Sequence, residues 1–97
     1  MSYTISLQDA PSGITERAKA EAEYRFQRTL ERALGTEEEV IEAYRAWQTA
    51  EETAETELSD EEVTLVKRWI AAATRAQQDG FRELGESEAY FEIKVER

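Results

Sequence analysis

Ninety-seven residues, 40% of them hydrophobic, make a chain long enough for one core-bearing domain, residues 1–97, and too short for two. It has no cysteine and no histidine, which excludes disulfides, thiolate metal sites, Cys nucleophiles and every catalytic arrangement built on an imidazole. The net charge of −10 argues against direct nucleic-acid binding, because counterion release needs clustered Lys and Arg.

Tyr3-Thr4-Ile5-Ser6-Leu7 alternates apolar and polar residues, the period of a strand with one buried face. Asp9-Ala10-Pro11-Ser12-Gly13 then bends the chain, and a first helix is predicted from between Pro11 and Thr15 to Leu34, stopped by Gly35. At 100° per residue, Ala18, Ala22, Phe26, Leu30, Ala33 and Leu34 share its inward arc. Tyr24 lies off that stripe, either packed in a dimer contact or simply on the surface.

Thr36-Glu37-Glu38-Glu39 has the form of a capping box and starts a second helix. Its buried sector holds Val40, Ala43, Tyr44, Trp47, Ala50, Ala54 and Leu58. Glu51 falls inside that sector, so fraying or a bend is predicted between residues 51 and 58. Ser59-Asp60-Glu61-Glu62 repeats the capping pattern and opens a third helix running to about Leu84, before Gly85. Val66, Trp69, Ile70, Ala73, Ala76, Gln77, Phe81 and Leu84 are assigned to its inward face, and both tryptophans are read as core. Phe91-Glu92-Ile93-Lys94-Val95-Glu96 alternates again, a closing strand with Phe91, Ile93 and Val95 inward.

The predicted fold is α+β and mainly α, a three-helix core with short N- and C-terminal strands that pair (β-α-α-α-β). If every element reverses the one before it, the two strands run parallel. Each then keeps an open edge, a template for a second copy of the chain, so a homodimer is expected.

The charge is local. Residues 1–35 hold five acids and five bases, and residues 63–97 hold six of each. Residues 36–62 hold eleven acids against Arg45 alone, so 1 − 11 accounts for the whole −10. Glu37, Glu38, Glu39, Asp60, Glu61 and Glu62 sit in first turns of predicted helices, where the helix dipole favours carboxylates. Glu42, Glu51, Glu52, Glu55 and Glu57 have no such role. These five are the candidate partner-binding residues, presented to a protein with a basic surface.

The four glycines are too scattered for a phosphate-cradling loop, and no calcium-loop pattern is present. One carboxylate pattern remains. Glu39-Val40-Ile41-Glu42 and Glu57-Leu58-Ser59-Asp60 give Glu-x-x-Glu, an interval, then Glu-x-x-Asp. Those eight residues resemble the magnesium site of the all-α nucleoside triphosphate pyrophosphohydrolases of the MazG and dUTPase type. The resemblance implies Mg²⁺ held by Glu39, Glu42, Glu57 and Asp60 against a triphosphate. The chain departs from that pattern where Ser59 reads as a helix cap, which puts Glu57 and Asp60 in a turn. It also lacks bases for the phosphates beyond Arg45.

The principal expectation is therefore a small acidic non-catalytic module without metal or cofactor, one form of which is a nucleic-acid-mimicking inhibitor from a phage or mobile element. The alternatives are the magnesium-dependent enzyme and a structural subunit of a homo-oligomer. Residues 1–10 lack the regions of a signal peptide, and the longest apolar run, Trp69 to Ala73, is far short of the roughly 20 residues of a membrane span. A cytoplasmic protein with no membrane partner is expected.

Overall fold

The structure, a computed structural model, describes residues 1–53, 55–85 and 88–96, with Glu55 described by its backbone alone. Strand β1 (Ser2–Gln8) leads to helices α1 (Glu16–Leu34), α2 (Glu37–Glu52) and α3 (Asp60–Phe81), with a short 3₁₀ turn at Glu55–Glu57 before α3 and strand β2 (Tyr90–Glu96) after it. This is the predicted β-α-α-α-β order, mainly helical, with the terminal strands paired.

Each helix begins at a side-chain cap that the sequence makes legible. Thr15 accepts from the Ala18 amide to start α1, and complete capping boxes at Thr36/Glu39 and Ser59/Glu62 start α2 and α3. Gly35, at φ 111°, ends α1 in a backbone region that side chains strain to enter, with its N–H bonded to the Glu31 carbonyl. The break expected after Glu51 is present. Helix α2 stops at Glu52, and Thr53 is extended. Ala54, placed by its spacing on the inward stripe, lies outside the described residues. Helix α3 ends at Phe81 rather than Leu84, because residues 82–84 close as a turn in which the Leu84 amide bonds to the Phe81 carbonyl.

The strands pair antiparallel, not parallel. Helix α1 runs antiparallel to α3, since Ala22 lies by Gly80 while Arg32 and Ala33 share a depression with Arg75. Strand β1 in turn opposes α1, with Tyr3 beside Glu31 and Leu7 beside Glu23. The two connections through α2 therefore amount to one reversal, where strict alternation would give two, and β2 returns against β1. The register sets Tyr3 opposite Val95, Ile5 opposite Ile93 and Leu7 opposite Phe91. All six project toward the helices, as the alternation predicts, while Glu92, Lys94 and Glu96 are exposed.

The core gathers Tyr3, Phe26, Leu30, Leu34, Val40, Ile41, Ala43, Trp69, Ala72 and Ala76. Ile41 and Ala72 lie beside the predicted stripes and are buried too. Helix α2 touches α3, α1 and β1, so it buries a wider arc than one interface would. Ala33 and Gln77 are exposed and Ile70 is 50% exposed, contrary to the inward faces that their spacing predicts. Position 70 stands about 100° round α3 from Trp69, at the margin of the buried arc rather than within it.

Polar side chains fasten these layers at two places. On α1, Thr29 donates to the Asp79 carboxylate at 2.6 Å, and Arg25 reaches the Asp79 and Gly80 carbonyls at 3.1 and 3.5 Å. Arg25 thus serves the C-terminal turn of α3, which has no basic residue of its own there. The second fastening lies along the outer edge of β1. The Tyr3 amide donates to Glu37 at 3.1 Å and the Leu7 amide to Glu23 at 2.7 Å. The β1 edge expected to stay open is thereby occupied by two carboxylates from α2 and α1.

Candidate functional site

Helix α2 and the turn after it carry the candidate carboxylates. Glu42, Glu51, Glu52 and Glu57 are all exposed, while the Glu55 side chain lies outside the described residues. They do not form one face. Nine residues at 100° each put Glu42 and Glu51 on opposite sides of α2, about 180° apart. Glu42 looks onto a shallow depression with Asp60, Glu61, Thr64 and Leu65. Glu51 continues the stripe of Tyr44 and Trp47 past the end of the core, beside Glu52 in the last turn.

The other acids of this region have local duties. Glu39 and Glu62 close the capping boxes, and Glu37 holds the β1 amide. Among the described residues, no three acidic side chains converge as a metal ion would require. Of the carboxylates in the pyrophosphohydrolase-like pattern, Glu42 and Asp60 share a depression, Glu39 is turned back to Thr36, and Glu57 sits in the 3₁₀ turn.

A groove that the sequence did not reveal lies next to this acidic end. It is bounded by Tyr44 and Trp47 of α2, Trp69 to Gln77 of α3, and Phe91 to Ile93 of β2, and holds about 350 Å³. The aromatic rings pack closely. Tyr44 lies 5.1 Å from Trp69 and 6.0 Å from Trp47, centroid to centroid, and the two indoles are 6.3 Å apart. Trp69 is 4% exposed and belongs to the core, as its spacing implied, whereas Trp47 is only half-buried and walls the groove. Beyond Ile70 the groove continues into a second apolar depression lined by Ala50, Leu58, Val63, Val66 and Lys67. The available signal was Ile70 itself, an aliphatic residue at the edge of a helical stripe.

Several polar groups around the groove are acceptors. The Tyr44 hydroxyl donates to the Ile93 carbonyl over 3.5 Å and accepts from Gln48 at 3.0 Å. Burial, with the Glu92 carboxylate as a second cause, raises the Tyr44 phenol above its ordinary value. The Thr74 hydroxyl gives its proton to the Ile70 carbonyl at 2.8 Å, leaving its lone pairs free.

Comparison with protein-family models, with curated proteins and with solved structures found no match. Among the described residues, no helix is long and apolar enough to cross a membrane.

Proposed function

We propose that the protein is a small non-catalytic binding module whose acidic surface, centred on the end of α2, engages a protein partner with a basic surface. The observation that carries this reading is the polarity of that helix end. A helix C-terminus is a negative pole, where each base contributes about 0.3–1 kcal/mol and each acid opposes the dipole. Helix α2 has no base in its last turn and has Glu51 and Glu52 there, with Glu57 exposed in the turn that follows. Among the described residues, Glu42, Glu51, Glu52 and Glu57 cap no helix. A cationic partner would relieve this repulsion, and complementary charge acts chiefly on association rate and selectivity.

Nucleic-acid mimicry is the less favoured form of the reading, because Arg45 interrupts the outward row of α2 that contains Glu38, Glu42 and Glu52. Self-association is proposed through Tyr24, which is 61% exposed on α1, leaving the outer edge of β2 to a partner. Two amides on the outer edge of β1 are already taken by carboxylates.

The test replaces Glu42, Glu51, Glu52, Glu55 and Glu57 by Gln, which removes five charges at nearly constant size and helix propensity. A basic protein captured from the host by the parent, identified and purified, should associate more slowly with this variant. Its complex with the parent should weaken as salt rises. Equal association rates and equal salt dependence for the two proteins would remove the reading.

A further inference from the structure

The two edges of the sheet are built differently. Tyr3 and Leu7 direct their amides to Glu37 and Glu23, so they do not bond to β2. Their partners Val95 and Phe91, and Ile93 between them, consequently stand in the wide pairs of the antiparallel ladder, with N–H and C=O directed away from β1. The Tyr44 hydroxyl reaches the Ile93 carbonyl from that outer side, at the long distance of 3.5 Å. Strand β2 thus offers an edge that can still accept a neighbour, and the groove lies directly beside it. A third strand laid there would point alternate side chains down onto Tyr44, Trp47 and Ile70.

The groove also specifies what such a side chain should be. Among the described residues, its only charged lining residue is Glu92, an acid. Thr74, with its proton already given to Ile70, can accept, and so can the Ile93 carbonyl. The other walls include the rings of Tyr44 and Trp47, whose π-faces attract cations, and the Gln77 amide, which can donate or accept. An apolar side chain would leave Glu92 and the Thr74 lone pairs unanswered, and a carboxylate would be repelled by Glu92. A guanidinium satisfies both kinds of wall, because it is planar, stacks on aromatic rings and donates in several directions.

We propose that this groove is an arginine socket, in which an extended segment of the partner adds to the free edge of β2 and stacks one arginine on Trp47 and Tyr44 with its guanidinium against Glu92. The proposal rests on the reading of the protein as a binder of basic partners, and it places the specific contact on residues other than the acids of the acidic run. The acidic run acts on approach, and the socket acts on recognition.

The chain reports on this site by itself, since its two tryptophans both line the groove. A five-residue extended peptide with one central arginine should shift the Trp47 indole N–H resonance saturably. The same peptide with citrulline, uncharged and nearly isosteric, should bind about fivefold more weakly or less. Glu92→Gln, a change on the exposed face of β2, should bring the arginine peptide down to the citrulline level. The five-fold Gln variant of the acidic run should keep the arginine preference. Light scattering on each titrated sample distinguishes the peptide from a second copy of the chain as occupant, and an indole shift that follows protein concentration rather than peptide would overturn the proposal. Equal binding of the two peptides, an unaffected Glu92→Gln variant or a silent indole would also overturn it. In those cases, partner capture that still depends on the acidic run leaves the broader function standing. Capture indifferent to the acidic run would remove the broader function as well.

Discussion

At Gly80 the backbone of α3 comes against the ring of Phe91, and a Cβ built there would stand 2.5 Å from the ring's Cζ. The ring is held from other sides too, stacked on Phe26 at 4.3 Å and against Phe81 at 4.8 Å. Gly80→Ala sets about 1 kcal/mol of improved helix propensity against overpacking of about 1–3 kcal/mol. The clash should win, because Phe91 has little room to move. Thermal unfolding should show a Tm lower by several degrees. A Tm equal to or above the parent's would mean that β2 can shift away from α3. Tyr3 gives a second expectation at this scale. Burial first, then the charge of Glu31, raises its phenol above the ordinary value of 10.0. In the unfolded chain Tyr3 therefore ionises first as pH rises. Its contribution is intact below pH 10 and is lost progressively above it. Tyr3→Phe loses the 3.2 Å bond to Glu31, about 0.5–1.5 kcal/mol at neutral pH, but should shallow the alkaline loss of stability. Parallel stability profiles for parent and variant above pH 10 would contradict that assignment.

At the scale of elements, β1 is protected by carboxylates rather than by another strand. Removing them with Glu23→Ala and Glu37→Ala should leave the Leu7 and Tyr3 amides without acceptors and the edge free to pair. The double variant should lose stability and gain concentration-dependent mass by light scattering relative to the parent. If its mass stays at the parent's value at every concentration, edge protection is not what these carboxylates do. Glu23 and Glu37 also mark how far the sequence could be read. Caps, alternation and helical stripes depend on neighbours a few residues away, so Thr36, Ser59, Gly35 and the inward faces of β1 and β2 were legible. The amide of Tyr3 finds its acceptor 34 residues on. No local pattern encodes that pairing, or the choice of antiparallel over parallel strands. The latter follows from how α2 connects two antiparallel helices, a property of tertiary packing. The groove was hidden for the same reason. Trp47 and Ile70 carry the period of core residues, and only the narrowness of a two-stranded sheet leaves them uncovered. For the acidic candidates, the sequence identified which carboxylates cap helices, but helical pitch within α2 sends Glu42 and Glu51 in opposite directions.

For the molecule as a whole, two balanced segments flank a middle that holds the entire net charge. That middle includes a helix end where the dipole and the side chains have the same sign. Evenly spread charge would favour solubility without preference for a partner. Charge gathered in α2, the turn after it and the start of α3 produces an uneven field, and steering is what such a field provides. The central claim is therefore kinetic, and the most direct measurement is the association rate of a purified basic partner with the parent and with the variant carrying Gln at positions 42, 51, 52, 55 and 57, each followed from low to high salt. Steering by this charge should give a steep fall in rate with salt for the parent, a slower and flatter dependence for the variant, and convergence of the two at high salt. Superimposable rates across the whole salt range would contradict it.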